Sequence, residues 1–212
     1  MHNGIYISAG AWFGSQPVGD NEASQIVAKW NTVRLVDPFL QDRPFFVSAV
    51  RLLGALSGTS NRVTDVSFTH NVIDGAGATG ITVLAGVNSL DNRISEIKIR
   101  CNRVKGGKAG DVSRAGISVV GAHSDPGQLH PADPPPASAN SRDNVVRNVR
   151  IARNSIKSPS AGIRLIGGLG SKARNNRVIC VPLRGNRIDA PKKVDVRSNV
   201  DGASGNKARL AC

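Results

Sequence analysis

The chain has 212 residues, is 40% hydrophobic but only 4% aromatic, and carries a net charge of +13. That length and composition allow one sizeable domain with a core of Val, Ile, Leu and Ala, and the excess of Lys and Arg favours anionic partners such as nucleic acid, acidic polysaccharide or anionic lipid headgroups. No apolar run reaches the roughly 18 residues of a membrane span, and the opening MHNGIYISAG lacks the basic and then apolar regions of a signal peptide.

In chain order, the first recognisable element is GIYISAG at residues 4–10, a Gly, alternating apolar residues and a second Gly, which reads as a short strand between turns. Residues 11–60 hold Trp12, Phe13, Trp30, Phe39, Phe45 and Phe46, six of the eight aromatics, and show no repeat. Within them QIVAKW is compatible with a helical turn or a strand. RPFFVSAVRLLGAL reads as a degenerate strand in preference to a helix packed on the end.

From residue 61 the chain repeats itself. Four segments, VTDVSFTHNVI, ISEIKIRCNRV, VRNVRIARNSI and VICVPLRGNRI, share an Asn at 71, 102, 154 and 186. At eight, five and three residues before the Asn and two after it stand Val63, Val66, Phe68, Ile73; Ile94, Ile97, Ile99, Val104; Val146, Val149, Ile151, Ile156; and Val178, Val181, Leu183, Ile188. All sixteen are apolar. VDVRSNVD, with Val194, Val196 and Asn199, reads as a fading fifth copy. Between the copies come GITVLAG, GISVVG and GIRLIGG, the phrase already met at residue 4. Apolar spacing of two, broken by turns, disfavours helices. Recurrence of one residue type at one step of each cycle predicts a coil of strands, each turn lying about 4.8 Å from the last. In such a coil aliphatic residues stack inside and Asn stacks on Asn at a bend, passing amide hydrogen bonds along the stack.

The V-x-x-V-x-I-x-x-N-x-I and G-I-x-V segments resemble the repeats of right-handed parallel β-helix proteins, the pectin-lyase-like superfamily, over about residues 61–200 and 4–10. The resemblance implies an all-β, single-stranded right-handed parallel β-helix, a solenoid. It divides the chain into an N-terminal coil remnant and aromatic-rich capping segment (1–60), the repeats (61–200) and a C-terminal tail or cap (201–212). GIYISAG reads as the second half of a coil, so the chain is either the C-terminal part of a longer helix or folds residues 11–60 over its end. The resemblance also implies a secreted, periplasmic or cell-surface protein. In β-helix polysaccharide enzymes the substrate lies in a groove on one parallel sheet walled by loops, worked by acidic residues or by an Arg with bound calcium. The NTD, DD, GHG and RIK signatures of pectate lyases and polygalacturonases are absent here.

Candidate chemistry lies where the repeat is broken. The Pro-rich loop 122–143 offers His123, Asp125, His130 and Asp133, residue types that suit an acid–base pair or a metal site, against the plainer reading of a solvated Pro-rich excursion. A smaller loop spans 105–115. His70, beside an anchor Asn, reads as a turn residue. The outward positions four and two before the Asn hold Lys98, Arg100, Arg150 and Arg184, with Arg147 and Arg153 close by. Stacking would join them into a basic strip suited to carboxylates or sulfates along a polymer, or into a solvated edge that resists aggregation. Asp74 with Lys105, and Lys157 with Asp189, would form a surface ion-pair column. No metal site is expected from the cysteines Cys101, Cys180 and Cys212, which lack C-x-x-C spacing; their number permits one internal disulfide at most, and they read as free or buried thiols. The sequence therefore predicts a protein that binds or acts on an anionic polysaccharide. In lyase form, His123, His130, Arg100 and Arg150 would supply catalysis and Lys98, Arg184, Asp125 and Asp133 would hold substrate. A non-catalytic β-helix module is the alternative. Nucleic acid is a disfavoured partner, because few aromatics are placed for base stacking.

Overall fold

The structure, a computed structural model, describes residues 4–11, 19–35, 48–109, 114–124 and 140–212. Among these residues every regular element is a strand. The chain visits three long parallel sheets in a fixed order, and a fourth, two-stranded one pairs Ser141–Arg142 with Ala173–Arg174. Sheet I contains Ile5–Ala11, Ser48–Leu56, Thr79–Val87, Ala115–His123, Ala161–Leu169 and Lys192–Val200. Sheet II contains Glu22–Lys29, Arg62–Thr69, Arg93–Arg100, Val145–Ala152, Arg177–Ile179 and Lys207–Ala208, with Leu183–Arg184 also pairing to Val145–Ala152. Sheet III contains Thr32–Arg34, Val72–Asp74, Arg103–Lys105, Ser155–Lys157 and Arg187–Asp189. Each strand pairs in parallel with its equivalents one pass before and one pass after. The protein is therefore an all-β solenoid of stacked coils, an architecture consistent with a parallel β-helix.

The repeat spacing has a backbone cause. Val63 and Val66 can both face inward only if one residue between them breaks the period of two. That residue is Asp65, in the left-handed region. Its equivalents Gln25, Glu96, Asn148 and Cys180 share this geometry, the five φ values lying between 49° and 56°. A second left-handed column precedes the anchor Asn: Trp30, His70, Cys101, Arg153 and Gly185, φ 55° to 62°. His70 is thus a turn residue. Fourteen of the sixteen apolar positions are at most 1% exposed, and Leu183 and Ile188 pack against the same core while partly buried.

The Asn stack is real and there are two of them. Asn71 donates its backbone N–H (2.9 Å) and its Nδ2 (3.0 Å) to Asn102 Oδ1. Asn102 does the same to Asn154, and Asn154 to Asn186. A parallel ladder runs through Asn21, Asn61, Asn92, Asn144, Asn176 and Asn206 at the opposite end of the sheet II strands. Each of its members also follows a left-handed residue. Buried amide donors and acceptors at both bends are thereby satisfied without water.

Several expectations are corrected. The Asn-anchored pattern does extend into residues 11–60: Glu22–Lys29 is a sheet II strand and Asn31 donates to Asn71 Oδ1. QIVAKW therefore lies mostly in a strand, and Ser48–Leu56 is a strand too. Trp12, Phe13, Phe39, Phe45 and Phe46 lie outside the described residues. VDVRSNVD is not a fifth anchored copy. Its strand belongs to sheet I, with Val194 beside Ile163 and Val196 beside Leu165. The last twelve residues join the final coil: Asn206 extends a ladder, Lys207–Ala208 pairs with Arg177–Ile179, and Cys212 is disulfide-bonded to Cys180, leaving Cys101 as a free thiol.

Two stability tests follow. Asn102→Ala removes the acceptor of the buried Asn71 N–H and the Nδ2 donor to the Phe68 carbonyl, at roughly 1–3 kcal/mol for each unsatisfied group, so an overall loss of about 2–5 kcal/mol is expected in urea unfolding. Asn31→Ala, at the exposed end of the same ladder, should cost less than about 1 kcal/mol. Cys212→Ser opens a cross-link between residues 32 apart in sequence, and chain-entropy loss puts its cost at about 3–4 kcal/mol, measurable as a lowered urea midpoint.

Candidate functional site

Sheets I and II present different outer faces. The four central strands of sheet I are buried nearly throughout. Its outward side has an aliphatic column of Leu53, Leu84, Val120 and Ile166, none more than 5% exposed. Beside it runs a polar column, the x of G-I-x-V: Arg51, Thr82, Ser118, Arg164 and Asp195. Arg164 Nε donates to Asp195 Oδ2 at 3.0 Å and its Nη1 to the Arg114 carbonyl at 3.1 Å. Arg197 and Lys192 reach the same carboxylate at 3.1 and 3.8 Å. Burial pushes the Arg51 guanidinium down to about 10, against the opposing influence of Tyr6. Arg51, Arg164 and Asp195 are thus closed to solvent, while Arg197 and Lys192 reach the Asp195 carboxylate from the exposed last strand.

Sheet II is open. Its register places Lys98 beside Ser67 on one side and Arg150 on the other, and Arg100 and Arg184 on either side of Ala152. Arg147 lies between Ser95 and Ile179. The predicted strip of Lys98, Arg100, Arg150 and Arg184 is therefore assembled on one face. A second row was missed: nine residues before the anchor stand Arg62, Arg93 and Arg177, which with Arg147 line a shallow groove of about 340 Å3 ending at Glu22. The signal was present, since the position recurs with every anchor Asn, but the basic strip was read from the positions four and two before the Asn.

Counter-charges are few. Lys98 Nζ sits 3.8 Å from Asp65 and Arg93 3.5 Å from Asp91, both solvent-exposed pairs that contribute little stability. Glu96 accepts from Asn148 Nδ2 at 2.6 Å. Among the described residues Arg62, Arg147, Arg150, Arg177 and Arg184 form no ion pair. Arg100 is half-buried, and its enclosed Nε makes no hydrogen bond. The foreseen ion-pair column is present as Asp74–Lys105 at 3.5 Å and Lys157–Asp189 at 3.9 Å, on sheet III. Protection of a sheet edge does not explain the strip. The edge strand Glu22–Lys29 has one cation, while the cations crowd the inner strands Arg93–Arg100 and Val145–Ala152.

The loop candidates fare differently. His123 ends its sheet I strand, 5% exposed, with Val87 and Leu169 as lateral neighbours. The described residues do not bring it together with Arg100 or Arg150, which belong to sheet II. Asp125, His130 and Asp133 lie outside the described residues. Calcium, implied by the resemblance, takes 6–8 oxygen ligands; among the described residues no three acidic, His or Cys side chains converge, so these residues do not fit it. In comparison with known proteins, the chain matches no family model, no curated protein and no solved structure.

Arg150 beside Lys98 is a like-charge cross-strand neighbour, which is destabilising. Arg150→Glu should raise stability by about 0.2–1 kcal/mol at low salt, with the gain shrinking as salt is added. Urea unfolding at two ionic strengths measures this, and a loss of stability instead would show that Arg150 has a structural role.

Proposed function

We propose that the protein is a right-handed, single-stranded parallel β-helix of the pectin-lyase-like type whose sheet II binds an anionic polysaccharide. One observation carries this reading: guanidinium groups that form no ion pair among the described residues are spread over the inner strands of an open sheet, where neither ion pairing nor edge protection accounts for them. Guanidinium donors are arranged in a fork that matches carboxylate and sulfate oxygens. Parallel coils repeat about every 4.8 Å, so a polymer with regularly spaced anions could meet several cations at once, each contact adding to avidity. The binding face would comprise Lys98, Arg100, Arg150 and Arg184 together with the row Arg62, Arg93, Arg147 and Arg177. The Cys180–Cys212 disulfide supports an oxidising location, secreted, periplasmic or at a cell surface.

The lyase form of the hypothesis asks for one cation to neutralise a uronate carboxylate and a base to remove the neighbouring proton. A panel of polyuronates, with and without calcium and with a neutral polysaccharide as control, separates the alternatives. Binding that weakens with salt is expected for the polyuronates and not for the control. Arg147→Ala and Arg150→Ala should each weaken it roughly two- to fivefold, the equivalent of about 0.5–1 kcal/mol for an exposed pair. Unsaturated product, followed by ultraviolet absorbance, would establish elimination; binding without product would leave a non-catalytic module. No binding at low salt would overturn the polyanion reading.

A further inference from the structure

One cation on the face of sheet II differs from the rest. Every Lys and Arg on the sheet II strands is exposed except Arg100, which is half-buried. Its Nε is enclosed and makes no hydrogen bond. Carboxylates nearby are engaged elsewhere: Asp65 lies 3.8 Å from Lys98, and Glu96 accepts from Asn148. Among the described residues, no acid competes for the Arg100 guanidinium. A side chain whose stem is already packed also loses less rotamer freedom when it binds.

The floor beside Arg100 is distinctive too. Its column across the sheet reads Lys29, Thr69, Arg100, Ala152 and Arg184, one residue per coil. Ala152 faces outward, because Ile151 before it belongs to the core, yet it is only 2% exposed. Its in-register neighbours Arg100 and Arg184 are two coils apart, which puts their backbones about 9.6 Å from each other. On its own strand the preceding outward residue is Arg150, itself in register with Lys98. Four cations thus surround one small, covered residue. The similar column Arg93, Val145 and Arg177 is built more loosely: both arginines are exposed, Val145 is half-buried, and Arg93 is paired with Asp91.

We propose that Arg100 lies flat over the Ala152 methyl group and, with Arg184 closing from the other side, forms a clamp for one oxyanion group, a carboxylate or a sulfate. Resting on the reading of sheet II as a polyanion face, this clamp is the anchoring subsite of that face. Each guanidinium offers a fork of parallel N–H donors that fits two oxygens. Arg150 and Lys98 add attraction without fixing geometry. Ala152 sets the site, since a larger side chain there lifts Arg100 off the sheet while leaving every charge in place.

Two kinds of probe separate the clamp from the polymer. In the intact, isotope-labelled protein, inorganic sulfate or acetate should shift the Arg100 Nε–H resonance saturably, whereas chloride at matched ionic strength should not. The anion that acts at the lower concentration names the group. With a polyuronate and a sulfated polysaccharide, Arg100→Ala and Ala152→Leu should each weaken the better ligand about tenfold, more than Arg150→Ala does. Ala152→Leu should leave the salt dependence unchanged, because no charge is lost. Arg100→Lys, which keeps the charge and removes the fork, should weaken binding similarly and serves where Ala152→Leu lowers the urea midpoint. Arg187→Ala, which removes a cation from sheet III, should change none of these readings. The clamp is overturned if Arg100→Ala costs no more than Arg150→Ala, if Arg100→Lys binds as the parent does, or if sulfate and acetate shift Arg100 no more than chloride. Small anions bound at Arg100 without any polymer binding would instead uphold the clamp and remove the polysaccharide reading.

Discussion

The hydrogen bond from one asparagine to the next is the constraint on which this solenoid depends. A coil of short strands must turn several times per pass, and each turn leaves buried amide groups with no partner inside the sheet ladder. The Asn side chain supplies an acceptor to the coil before and donors to the coil after, so the bend is satisfied by its own copy. That works only if every pass brings the same residue to the same place. The apolar core inherits the same rule: Ile94 stacks on Val63 and Ile97 on Val66 because Asn102 stacks on Asn71.

The rule also explains what the outer faces can be. With inward positions fixed by the core and bends fixed by the ladders, sequence freedom is confined to outward positions. Sheet I fills them with aliphatic residues and internally paired charge, and is closed. Sheet II fills them with Lys and Arg in excess of carboxylates, and is open. A solenoid of this kind can therefore hold like charges side by side, because backbone pairing and the buried core tolerate a modest local repulsion.

The coil architecture, the inward residues and one ladder were legible in the sequence, since aliphatic spacing and an invariant Asn are strong periodic signals. The first coil was not, because its inward positions hold Ala23, Ile26 and Ala28, and two alanines do not stand out in a chain of this composition. The second ladder was overlooked although it lies ten residues before each anchor; its Asn residues precede the strand and no apolar pattern leads up to them. Asn199 misdirected the reading of VDVRSNVD, since it closes a ladder from a sheet I strand. His123 was taken for a loop residue because the strand it ends runs into Pro-rich sequence. The pairing of Cys180 with Cys212 depends on the tail returning to sheet II, which no local pattern announces.

The spacing of the coils has a last consequence. Because backbone hydrogen bonds set the distance from one pass to the next, the face of sheet II is a ruler whose graduations no side-chain substitution can move. Mutation can only mark or erase a graduation, as Val145 and Pro182 do where neighbouring coils carry Arg93 and Arg150. If sheet II binds a charged polymer as proposed, selectivity there is a matter of pitch matching: the ligand would be recognised by the rhythm of its charges, and a change of specificity would rewrite which beats are sounded without altering the tempo.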